Sequence, residues 1–330
     1  MHRLLSLVVA AGLLLGAASC GDDDGAGAAD DATQETVSLT VGVVPVLEIA
    51  PLAIAQERGF FDDEGLRVEM QIAAGSAALL PAVVSGDLPI SLSTPVSAMV
   101  AGSRDLPIKI VAPGADSGIE GEDISIIGVA EGSPVKRPQD LEGGSLAVPT
   151  LNSPATLGAR SALEAAGVDA ERVKFLEIPF PEMPGALADG KVDAAFLVEP
   201  FRTIALNQGA KALLPGFTAL SADGGGVTST FWVTSEQYLQ ENRDVVERFA
   251  SALAKAAAVA RDDPEAVRTA VQSYTEIPPE IVEQVRLPVY ADSLNRESLR
   301  RQGEFLERYG ELERVPDLDE LIADTVKPSP

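Results

Sequence analysis

The stretch "AVPTLNSPATLGARSALEAAG", residues 147–167, decides how the chain is built. A short apolar run preceded by Gly-Gly-Ser leads into Pro149. Asn152 and Ser153 then stand where a helix cap belongs, Pro154 where a first helical residue belongs, and Gly167 where a helix ends in the left-handed region. The pattern predicts strand, tight loop and helix. The loop holds no lysine, histidine or cysteine. A helix start presents free N–H groups, so the loop either caps its own helix or holds the acceptor group of a small ligand. Asn152, Ser153 and Thr156 are the candidates, and both readings stay open here.

The same grammar occurs about a hundred residues earlier. "VPVLEIAPLA" at 44–53 echoes "VPTLNSPATL" at 148–157. Each follows an apolar run and enters a helix, near residues 49–58 and 154–166, closed by Gly59 and Gly167. Short strands follow at 66–73 and 172–179. Helices closing on Gly86 and Gly190 come next, then strands at 88–95 and 192–200 that run into X-Pro helix starts. Each half thus predicts β-α-β-α-β, the signature of parallel strands with right-handed crossovers.

In such sheets ligands sit beyond the carboxyl ends of the strands. Six loops qualify: 45–49, 74–77 and 93–96 from the first half, and 150–156, 179–184 and 199–201 from the second. They supply Leu47, Glu48, Ser76 and Thr94, then Asn152, Ser153, Thr156, Phe180, Glu182 and Glu199 as candidate ligand contacts. Glu199 would bind an amino group or bridge the two halves, with a first-turn carboxylate as the alternative. Phe180 would stack on a ligand or anchor its Pro-rich loop. The run 227–233 predicts a return strand in which one of Phe231 and Trp232 faces the core and the other the cleft. Val246, Phe249, Leu253 and Ala257 form one helical stripe that should pack on the first lobe.

Composition narrows the partners. The 330 residues hold 50 acidic against 25 basic side chains, for a formal charge of -25. Nucleic acid is excluded as a partner, since phosphate binding needs clustered Lys and Arg. The start, "MHRLLSLVVAAGLLLGAASC", is a basic residue, an apolar run too short to span a membrane, and small residues before the chain's only cysteine. Residues 1–19 are expected to be a signal peptide, and Cys20 a lipidation site of the bacterial lipoprotein type. Residues 20–36 then form a flexible acidic tether. The protein is expected outside the cytoplasm, anchored by lipid on the outer face of the membrane. His2, the only histidine, falls in the removed segment. No catalytic residue, metal or cofactor is therefore expected. The folded part divides into a first lobe (37–122), a second lobe (123–226), and a return strand with C-terminal helices (227–330).

The stretches "VGVVPVLEIAPLAIAQERGFFDDEGLRVEM", "AVVSGDLPISLSTPVSAMVA", "DLEGGSLAVPTLNSPATLGARSALEAAGVD", "IPFPEMPGALADGKVDAAFLVEPF" and "ENRDVVERFASALAKA" resemble, in order and spacing, the solute-binding proteins of ABC importers for nitrate, sulfonates, taurine and thiamine-pyrimidine precursors. The resemblance runs from about residue 37 to about residue 325. It implies an α/β, two-lobed type II periplasmic-binding-protein fold, with a ligand cleft between two mostly parallel-sheet lobes. It also implies a monomer, not an enzyme, that hands a small molecule to a permease driven by a cytoplasmic ATPase. In that family the loop at 150–156 contributes to the ligand site. The six loops hold three carboxylates and no Lys or Arg, which favours a taurine-like zwitterion or an amine-bearing heterocycle. Backbone amides leave sulfonates open. The chain lacks the Asn-rich, His-containing loop of the thiamine-precursor branch near Val46. A ligand-sensing receptor lipoprotein is the alternative. A pyrimidine-synthesising enzyme of the same fold would need histidine and a cysteine cluster.

Overall fold

The computed structural model describes residues 36–73, 75–117, 123–221 and 226–326. The expected signal peptide, Cys20 and nearly all of the tether lie outside the described residues. Eleven strands are found among them: β1 (Val37–Val43), β2 (Leu66–Ile72), β3 (Ile90–Ser93), β4 (Ile108–Ser117), β5 (Ser125–Val129), β6 (Ser145–Val148), β7 (Lys174–Glu177), β8 (Ala194–Val198), β9 (Lys211–Pro215), β10 (Val227–Ser235) and β11 (Val289–Tyr290). They form a six-stranded sheet in the order β11-β4-β10-β3-β1-β2 and a five-stranded sheet in the order β7-β6-β8-β5-β9.

The internal echo is visible in these orders. β1 lies between β2 and β3 and is parallel to both, and β6 lies between β7 and β8 in the same way. Next to each parallel trio comes an antiparallel strand, β10 beside β3 and β5 beside β8. A further antiparallel strand follows, β4 beside β10 and β9 beside β5. Both sheets are therefore mixed: in each a single strand, β10 or β5, runs against its neighbours on both sides, and β4 and β9 beyond it run with the trio. β5 opens the second lobe and β10 returns to the first, so each is the strand by which the chain changes lobes. Every residue of both strands is buried.

Local chemistry explains the helix limits. Gly59 and Gly167 adopt φ of +72° and +77° at the ends of the helices Ala50–Glu57 and Pro154–Ala165. A side chain there would strain the backbone. The helix Arg243–Asp262 buries Val246, Phe249, Leu253 and Ala257 against the first sheet, as its stripe predicts. Phe249 stacks on Phe61 and meets Trp232 edge-on, both at 5.6 Å between ring centroids. A second apolar core runs through both lobes. It joins Val96 and Met99 of the first to Leu146 and Phe196 of the second, with Leu299 and Leu306 of the helix Arg296–Arg308 between them.

The return strand departs from its expected orientation. Phe231 and Trp232 are both buried, in the two different cores, because helices cover both faces of the first sheet. Neither ring reaches the cleft.

Candidate ligand-binding site

Two cavities border Glu48. The larger, about 470 Å³, lies behind the first sheet, between β4, the helix Arg243–Asp262 and residues 291–293. The smaller, about 220 Å³, lies between the lobes at the carboxyl ends of their parallel strands. The second is the candidate site, because eight separate chain segments converge on it and loops of both lobes supply its walls. Its apolar surface comes from Val44, Val46 and Leu92 on one side and Phe180, Val198 and Phe217 on the other.

Two of the helix starts that face this cavity carry side-chain caps, while a third, that of the helix Ser76–Ser85, has Gly75 at its cap position and no side-chain cap. Ser153 Oγ accepts from Thr156 N at 3.3 Å, and the Ser153 and Thr156 hydroxyls each donate to the Thr150 carbonyl at 2.8 Å. Thr94 Oγ1 accepts from Ser97 N at 3.3 Å and donates to Ser97 Oγ at 3.1 Å, with Ser76 Oγ 3.2 Å from Ser97 Oγ. These are N-caps followed by proline, which hold the helix ends in place.

Of the sequence candidates, Glu48, Ser76, Thr94, Asn152, Ser153 and Phe180 line the cavity. Phe180 does so with its ring stacked on Phe201, 6.1 Å away and 6° from parallel. Leu47 is 1 % exposed in the first lobe's core, and only its carbonyl is engaged, by Tyr290 Oη at 3.0 Å. Thr156 faces a small outer crevice toward Leu306 and Tyr309. Glu182 is exposed at the end of the turn Phe180–Glu182 and is not among the lining residues.

Glu199 is placed as a bridge between the halves, one of its expected roles, and away from the cavity. It is 1 % exposed and turned into the protein. Its carboxylate accepts from Arg202 Nη1 at 2.9 Å, Thr203 N at 3.1 Å and the backbone N of Arg286 at 3.3 Å. Arg286 precedes β11, so this carboxylate ties the second lobe to a segment of the first. It has no free edge for a ligand amino group.

Several lining residues escaped the sequence reading: Phe217, Ser97, Ser229 and Thr230. Phe217 follows Gly216 just past the carboxyl end of β9, a strand end comparable to those that supply the six loops. Ser229 and Thr230 sit beside the two aromatic residues that drew attention to β10.

Glu48 is the one ionisable side chain among the described lining residues. Burial pushes its carboxyl up from 4.5 to about 7, and hydrogen bonds with its own backbone and with Ser229 oppose this only in part. Tyr274 Oη donates to Val46 O at 3.2 Å, which places a second phenol beside Tyr290 at the foot of the Glu48 loop. Burial raises both phenols well above their ordinary value, and the nearby carboxylate adds to this. No group of His, Cys, Asp and Glu suited to a metal ion occurs among the described residues.

Residues 47–267 match the family described as NMT1/THI5 like. The chain belongs to that family. Over 194 residues it is 29% identical to the formylaminopyrimidine-binding protein of Halalkalibacterium halodurans, covering 58% of this chain and 54% of that one. Over 220 residues it is 25% identical to the taurine-binding periplasmic protein of Escherichia coli, covering 66% and 64%. The chain thus aligns with less than two thirds of the length of either relative. The alkanesulfonate-binding protein SsuA of Xanthomonas axonopodis pv. citri, solved with bound MOPS, shares the fold with a TM-score of 0.72 at 17% identity, covering 88% of this chain and 99% of that one. No helix among the described residues is long and apolar enough to cross a membrane.

Two substitutions separate structural from ligand-facing carboxylates. Glu199→Gln is expected to cost about 3 kcal/mol in urea unfolding, because it breaks a buried ion pair, while leaving cleft affinity unchanged. Unaltered stability with weakened binding would restore Glu199 to the site. For Glu48 the sign is opposite. The folded state retains a proton that the unfolded chain releases above 4.5, so stability falls as pH rises from there to about 7. Glu48→Gln should therefore gain roughly 1–3 kcal/mol relative to the parent between about pH 4 and about pH 8. A constant difference across that range contradicts a buried, proton-holding carboxyl.

Proposed function

We propose that the protein is the extracytoplasmic solute-binding component of an ABC importer, and that it captures a small amino-substituted heterocycle between its lobes. The observation that carries this reading is the interlobe cavity, which has apolar walls and one carboxyl, and no Lys or Arg among its described lining residues. A cavity of about 150 Å³ is enough to hold benzene, so about 220 Å³ suits a substituted single ring. Apolar side chains would desolvate the ring faces, while Ser76, Thr94, Asn152 and Glu48 read its polar edge.

Family membership supports a binding role, and a formylaminopyrimidine-binding relative supports the ligand class. The taurine-binding relative and the sulfonate-binding fold neighbour favour a second reading, a sulfonate. The site's chemistry weighs against it. A sulfonate is best held by guanidinium forks or open helix N-termini. Here the cavity wall has no guanidinium among its described residues, and the N–H groups of Ser97 and Thr156 are already bonded to their caps, which leaves the uncapped start of the helix Ser76–Ser85 as the place where an anion would sit.

The rest of the reading follows from location. A signal peptide at 1–19, lipidated Cys20 and the tether to residue 36 would hold a monomer beside its permease and the partner ATPase. Closure of the lobes about β5 and β10 would trap the solute. A sensing receptor would use the same closure, with a membrane kinase in place of the permease. Enzymatic use of the fold lacks support, as the chain's only His and Cys are His2 and Cys20.

Thermal unfolding against formylaminopyrimidine, unsubstituted pyrimidines, taurine, alkanesulfonates and nitrate tests the assignment. A ligand at 100 times its Kd stabilises the fold by about 2.7 kcal/mol. The aminopyrimidine is expected to raise Tm and the anions are not. A shift with taurine or a sulfonate alone overturns the assigned class.

A further inference from the structure

We infer that Glu48 is the specificity-determining residue of the cleft and shares a single proton with its ligand, so that solute capture is coupled to proton uptake. This rests on the reading of the cleft as a site for an amino-substituted heterocycle. It goes beyond it by assigning one residue, one hydrogen-bonding pattern and one proton.

The inference comes from where the neighbouring protons point. Ser229 is buried and hydrogen-bonds the Glu48 carboxyl, yet its single hydroxyl proton points at Ala115 O, 2.8 Å away. It has one proton for two acceptors, so it donates either to the ionised carboxylate, the bond that holds Glu48 down, or to Ala115 O, and not to both. Tyr274 and Tyr290 likewise direct their phenolic protons at Val46 O and Leu47 O. Each of these three hydroxyls has its proton engaged by a backbone carbonyl. An ionised Glu48 would have to draw Ser229 away from a buried carbonyl, which is costly to leave unpaired. A protonated Glu48 instead completes a chain from carboxyl to Ser229 to Ala115 O. Glu48 at the same time borders the cavity.

The charged groups around the loop do not supply a counter-ion. In the rear cavity that Glu48 also borders, Lys255 is paired with Glu64 at 2.8 Å and Arg261 donates to Tyr290 O at 3.0 Å. Glu247 lies 3.8 Å from Arg243, and Asp292 accepts from Ser293 Oγ at 3.1 Å. On β4, Asp116 is raised to about 6 by burial, opposed by a hydrogen bond from Thr228 and aided by Asp292. The second lobe presents no ionisable side chain among the described lining residues.

A carboxyl in this state matches an amino group adjacent to a basic ring nitrogen. One oxygen accepts from the amino N–H, and the other shares a proton with the ring nitrogen. The pair holds one proton whether it is drawn as acid with neutral ring or as carboxylate with cation. A heterocycle whose ring nitrogen titrates below neutrality is neutral when free. Above about pH 7, where free Glu48 is ionised, binding must take that proton from solvent. Near pH 6 Glu48 already carries it.

Isothermal titration calorimetry with formylaminopyrimidine, in buffers of different ionisation heat, reads this directly. At about pH 8.5 the heats should differ by close to one proton taken up per site, and at about pH 6 by close to none. Affinity should fall about tenfold per pH unit above about pH 7. Glu48→Gln should flatten the profile and abolish the uptake. Should that variant fail to fold, the buffer dependence of the unmodified protein decides the matter alone. Binding without proton uptake at either pH overturns the proton coupling and leaves the proposed function standing. Binding of taurine but not of formylaminopyrimidine overturns the ligand class and this inference with it.

Discussion

The structure depends on two strands, β5 and β10, each of which completes the sheet of the lobe that the chain has just entered. β5 and β10 are buried at every position, and each pairs antiparallel with the last strand of a parallel trio. A strand buried on both faces with both edges paired is fixed in register and direction. The carboxyl ends of the two trios are thereby held facing one another across a narrow gap. The helix Arg296–Arg308 and the Glu199–Arg286 contact add a second, mixed link between the lobes. Cleft geometry therefore follows from sheet completion, and side chains at the cleft rim are free to be chosen for a ligand.

The choice made there is spare. Walls of Val, Leu, Pro and Phe are apolar, Thr94 and Ser153 cap their own helices, and a single carboxyl sits near hydroxyl groups that donate to backbone carbonyls. Low dielectric makes that carboxyl sensitive to what enters, since an unpaired polar group is costly and a paired one is strongly held. Selectivity in such a site comes from rejecting solutes that leave Glu48 unmatched. An anion does so by repulsion above about pH 7, where Glu48 is ionised, and a purely apolar ring does so by offering no donor.

Much of the fold was legible in the sequence because its signals are local. Gly59, Gly86, Gly167 and Gly190 end helices in the left-handed region, and Pro154 and Pro95 begin them. These cues fix strand-helix order without knowledge of the partner strands. The direction of β5 and β10 was not legible, because neither strand carries a crossover helix that would make it parallel. The site was legible where its residues cap helices at strand ends, as with Thr94 and Ser153. At Glu199, which sits before a proline as Thr94 does, a bridge between the halves was legible but its partners Arg202, Thr203 and the distant Arg286 were not. The reading failed at Ser229 and Thr230, where two large aromatic neighbours were the more visible residues and both turned out to be core.

The most direct measurement is a crystal structure of the protein with formylaminopyrimidine. The expected result places the ring in the interlobe cavity beside Phe180 and Phe217, with its amino group and a ring nitrogen within roughly 2.6–3.2 Å of the Glu48 carboxyl. A ring bound elsewhere, or bound in the cleft with its polar edge toward the Ser153 helix start and Glu48 unengaged, would contradict the assignment of Glu48 as the residue that reads the ligand.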